Sequence, residues 1–61
     1  MKVSEVIRNH GLEDFTRTYR NQYGNLCHLI YFDELANMEV KSVNINFPTK
    51  EATITVIERI A

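Results

Sequence analysis

The segment from Met38 to Ile60, MEVKSVNINFPTKEATITVIERI, constrains the fold more than any other part of the chain. Val43, Ile45 and Phe47 alternate with Ser42, Asn44 and Asn46. The polar stretch Pro48-Thr49-Lys50-Glu51 follows, and then Ala52, Ile54 and Val56 alternate with Thr53 and Thr55. Alternation with a period of two puts one face on a core and the other in water, so the segment reads as a β-hairpin. Its apolar set, Val43, Ile45, Phe47, Ile54 and Val56, is read as structural.

A chain of 61 residues leaves little beside that hairpin. Area scaling for this size gives roughly 4,000 Å² folded against roughly 10,000 Å² unfolded, near the lower limit for autonomous folding. Burial and conformational entropy then nearly cancel. Cys27 is the only cysteine, so no internal disulfide relieves the deficit, and no Cys/His spacing suggests a structural zinc. A small core completed by self-association is the remaining route to stability.

Upstream, Val3–His10 reads as a short helix with Val3, Val6 and Ile7 on one side, Ser4 as a cap, Glu5 in the first turn and Gly11 as the stop. Two turns are not stable alone and must lie on the sheet. Residues 12–23 fit a strand, with Phe15, Arg17 and Tyr19 on one face, or a helix with Leu12, Phe15, Tyr19 and Tyr23 on one stripe. Two threonines and two aromatics favour the strand, with residues 21–25 as a hairpin loop. Leu26–Phe32 is nearly all apolar and reads as a central strand, and residues 33–37 as a connection with one helical turn begun by Asp33. The expected fold is one α+β domain: a short N-terminal helix packed on a four-stranded antiparallel meander (α-β-β-β-β), with α-α-β-β-β as the alternative. Sequential strands are expected to pair as neighbours.

Net charge is −1, so no global field draws the chain to nucleic acid or anionic lipid. No apolar run is long enough to span a membrane, and residues 1–10 lack a signal-peptide core. One unpaired cysteine and no export signal suit the cytoplasm.

Arg17, Tyr19, Arg20 and Tyr23 form the one basic-aromatic cluster, of a kind that meets phosphates and stacks bases. Against this, Tyr19 can pack in the core while the arginines are solvated. Cys27 and His28, adjacent on a strand, point to opposite faces and make no nucleophile–base pair. His10 suits a helix C-terminus. Asp33, Glu34 and Glu39 match no calcium-loop or acid–base spacing. No catalytic residue, cofactor or metal is expected. The last segment, ATITVIERIA, is expected near a sheet edge, where Ile57 and Ile60 extend apolar character past the alternation. With Tyr31 on the second sheet face, they are the expected protein interface. The sequence therefore points to a non-enzymatic protein-interaction module, of the bacterial or phage accessory type, homodimeric or bound to a protein partner. The alternative is a nucleic-acid-binding module using Arg17, Tyr19, Arg20 and Tyr23.

Overall fold

The chain opens by pairing with its own middle. In the computed structural model, which describes residues 1–27 and 32–58, the Val3 N–H donates to Met38 O at 3.1 Å and the Val40 N–H to Met1 O at 2.7 Å. This holds Lys2 extended (φ −88°, ψ 158°), and helix α1, Val3–His10, starts one residue later. Lys2 is thus the N-cap in place of Ser4, which lies exposed inside the first turn. The Glu5 carboxylate accepts the Lys2 N–H at 3.2 Å, returning one orphan donor of the helix start to a partner. Gly11, at φ +65°, ends the helix in the left-handed region that glycine adopts without a side-chain penalty.

Leu12–Asp14 forms a single 3-10 turn, and strand β1 is Thr16–Arg20. The helical alternative for residues 12–23 is therefore replaced by a turn and a strand. Gly11 has already broken the helix, and Thr16, Thr18 and Tyr19 suit a pleated surface. Leu26 and Cys27 lie along the outer side of β1, where the Cys27 N–H donates to Tyr19 O at 2.9 Å. Phe32 opens a short helix, α2, Phe32–Ala36, one residue before the expected start at Asp33. It is thus not the end of a strand, and His28 to Tyr31 lie outside the described residues. The expected hairpin is present as β2, Val40–Asn46, and β3, Glu51–Val56. In the turn between them Phe47 O accepts the Lys50 N–H at 3.2 Å, with Lys50 at φ 55°.

Among the described residues the sheet has three strands in the order β1-β3-β2, with β1 parallel and β2 antiparallel to β3. This corrects the expected antiparallel meander. β3 takes the centre because it is the most apolar strand: Ala52, Ile54 and Val56 are 2%, 0% and 0% exposed. Parallel neighbours need a long crossover, and residues 21–50, which include β2, supply it. The correction reaches the expected edge position of the last segment too. ATITV is not at an edge, because both of its sides are paired.

Register decides the faces. Val43, Ile54 and Tyr19 lie side by side, as do Ile45, Ala52 and Arg17. On this side Val3, Val6, Ile7, Leu12 and Leu35 join Ala52, Ile54 and Val56 in one buried cluster. Thr18, Thr53 and Asn44 lie on the opposite face, with Arg20, Thr55 and Ser42 beside them. That face is polar throughout. Phe47, expected in the core, is 67% exposed because the alternation runs one residue past the strand into the turn; its ring meets Phe15 edge-on at 6.0 Å.

Candidate functional site

The basic-aromatic residues are separated by the pleat. Arg17 and Tyr19 share the core side of β1, and Arg20 is on the other. Arg17 is held by the backbone below it: Nη1 donates to Leu12 O at 2.6 Å and Glu13 O at 3.1 Å, and Nε donates to Tyr19 Oη at 2.9 Å. These bonds satisfy carbonyls of the 3-10 turn, which explains an arginine on the inner face of a strand. Arg20 Nη1 donates to Gly24 O at 2.8 Å, and Tyr23 is 74% exposed on the loop beyond. The four residues therefore form no single surface.

That loop is built by Asn21, whose side-chain oxygen accepts the N–H groups of Tyr23 at 2.9 Å and Asn25 at 3.0 Å. Gln22 then fastens it to the end of β3. Its Nε2 donates to Glu58 O at 2.9 Å, and its Oε1 accepts the Glu58 N–H at 2.8 Å. One side-chain amide thus does the work of a peptide group in a ladder. We expect Gln22→Ala to lower stability by about 1–2 kcal/mol, read as a shift of the urea midpoint at constant m. An unchanged midpoint would remove the clasp from the account. Arg20, Asn21, Gly24, Asn25, Leu26 and Glu58 line an open depression beside it. Burial, followed by the Glu58 carboxylate nearby, pushes the Cys27 thiol up from its ordinary range, which keeps it protonated at neutral pH.

Of the expected interface residues, Ile57 follows β3 and is 41% exposed beside Asn37, Met38 and Glu39. Its N–H donates to Glu39 O at 2.9 Å. Tyr31 and Ile60 lie outside the described residues. Glu39 is engaged at the chain start, where its Oε2 meets the Met1 ammonium at 2.7 Å, and this hydrogen bond raises the amine's pKa. Among the described residues no group of His, Cys, Asp or Glu is arranged to hold a metal. No helix among them is long and apolar enough to cross a membrane.

The feature that sequence reading missed is the outer edge of β2. Residues 1–3 cover it only over 38–40. From Lys41 to Asn46 no described residue hydrogen-bonds to that side. Lys41 and the bulge between Val40 and Ser42 protect the start of this edge, and beyond them Ser42–Asn46 carries no charge and no proline. On its core side Val43 and Ile45 are half-buried and Phe47 is exposed, so an apolar stripe runs along the edge. Comparison with protein-family models, curated proteins and solved structures finds no match to this chain.

Proposed function

We propose that the protein is a small non-enzymatic protein-interaction module that self-associates through its sheet by adding a strand to β2. One observation carries this reading: a strand edge, Ser42–Asn46, to which no described residue is bonded, beside a half-covered apolar stripe, Val43, Ile45 and Phe47. Strand addition joins backbone groups to backbone groups, and the flanking side chains add apolar contact. Among the described residues the titratable groups are scattered, and a domain of this size has little depth for a pocket. Sedimentation velocity across a concentration series tests the reading. A concentration-dependent dimer, lost in Ser42→Lys/Asn46→Lys without a change in melting temperature, supports it. A strict monomer up to about 0.5 mM overturns it, because edge contacts of this size are expected to dissociate in the micromolar range.

The exposure of both Tyr23 and Arg20, at the end of β1 and in the loop after it, is the observation that favours a second reading, a nucleic-acid-binding loop. It calls for salt-sensitive binding of oligonucleotides that weakens in Arg20→Ala and Tyr23→Ala. The absence of any shift at low salt would dismiss it.

A further inference from the structure

We infer that the strand added to β2 is β2 of a second copy, antiparallel, with the two-fold axis passing through Asn44. The inference rests on the edge-binding reading above and gives it a partner and a register.

Three observations on the edge select this arrangement. The first is charge. Lys41 is the only charged residue of β2, and an antiparallel dyad sends the two copies of Lys41 to opposite ends of the new ladder. A parallel pairing sets them side by side, and it does not close into a symmetric pair. The second is polarity. A dyad through Asn44 places Val43 opposite Ile45 of the second copy and Ser42 opposite Asn46, with Asn44 opposite itself. Apolar residues meet apolar and polar meet polar on each face. For a ladder of the same length, a dyad at Val43 takes in the irregularity at Lys41, and a dyad at Ile45 takes in Phe47, which lies beyond the strand.

The third is how the ladder ends. Past Asn46 the chain of each copy turns away toward its own β3, and Pro48 has no N–H to offer. The position facing Pro48 is Val40, whose N–H already donates to Met1 O at 2.7 Å. The segment that covers the start of the edge and the turn that leaves its end thus divide the strand at matching places. The regular stretch between them, Ser42–Asn46, is the length the dyad uses. The product is a continuous sheet of six strands, three from each copy. Val43 and Ile45 of the two copies then lie next to each other on one face.

A residue on a dyad meets itself, and this makes the register testable with single substitutions. Directly opposite side chains have Cβ atoms roughly 4.5–5.5 Å apart. Asn44→Lys and Asn44→Asp each set like charges at that distance and are expected to weaken the dimer about tenfold. Mixed in equal amounts, they are expected to regain association, as a heterodimer carrying Lys opposite Asp. Asn44 is exposed, so both variants retain the monomer fold, and circular dichroism melts at low concentration verify this. Sedimentation velocity of the wild type, each variant and the mixture reads the result. Weakening in both variants with recovery in the mixture establishes the dyad at Asn44. A wild-type dimer that neither substitution weakens overturns the dyad and leaves self-association through another surface. Weakening in both without recovery in the mixture rejects this register while keeping the β2 edge. A wild type that is monomeric throughout removes the edge-binding reading together with the dyad.

Discussion

Ile54→Ala should cost about 2–5 kcal/mol and lower Tm by at least about 10 °C. Ile54 is fully buried on the central strand, between Tyr19 on one side and Val43 on the other, and within the cluster that holds Val3, Val6 and Leu12. A cavity there touches the helix side and both outer strands at once, so relaxation of any single neighbour cannot fill it. A domain of 61 residues has a total stability on the order of 3–9 kcal/mol, so this one truncation removes a large part of it. Thr53→Ala, one residue earlier on the polar face, should stay within about 1 kcal/mol of wild type. Thermal melts of the two variants together check the claim. Equal effects would contradict the placement of Ile54 and Thr53 on opposite faces of a central strand.

Arg17→Ala should cost about 2–3 kcal/mol. The guanidinium serves two carbonyls of the 3-10 turn and the Tyr19 hydroxyl together, so its removal breaks three charge-assisted bonds and leaves Leu12 O with the Phe15 N–H alone. Arg17→Lys should restore little, because a single ammonium cannot reproduce the planar fork that reaches all three oxygens. Tyr19→Phe should cost less, about 0.5–1.5 kcal/mol, since it removes one hydrogen bond and keeps the ring. Guanidinium denaturation of the three variants gives the order. If Arg17→Ala leaves the midpoint in place while Arg17→Lys alters oligonucleotide binding, the side chain acts on a ligand and not on the turn.

Local features of this fold were legible in the sequence, and relational ones were not. The helix Val3–His10 and its stop at Gly11 follow from apolar spacing and a residue that tolerates positive φ. The hairpin follows from alternation across a short polar turn. Each signal is local, the longer one running from Val40 to Val56. Strand order carries no such signal. Which edge of β3 meets β1 depends on where the crossover places β2, and that is settled by packing against Val3, Val6 and Leu12. The edge placement of the last segment erred with it: the apolar character of ATITV marks a strand paired on both sides, whereas the quieter Ser42–Asn46 has a side to which no described residue is bonded. Phe47 misled because alternation does not reveal where a strand ends and its turn begins. The role of Arg17 was hidden for a similar reason, since its partners are carbonyl oxygens, which every residue except the right conformation presents alike.

The parallel pairing of β1 with β3 also orders the events of folding. Each β1 residue pairs with one far along the chain, Thr16 with Glu51 and Arg20 with Thr55, whereas Asn46 meets Glu51 across a tight turn. The hairpin closes a short loop and forms on the microsecond scale; β1 must wait for a loop about thirty residues longer to close. Between the two steps β3 is paired on one side only, with its most apolar residues beside a vacant place. During that interval β1 of a neighbouring chain has the same sequence and the same register to offer as the chain's own. Refolding at high concentration therefore favours exchange of the N-terminal segment between molecules, and refolding in dilute solution favours closure within one.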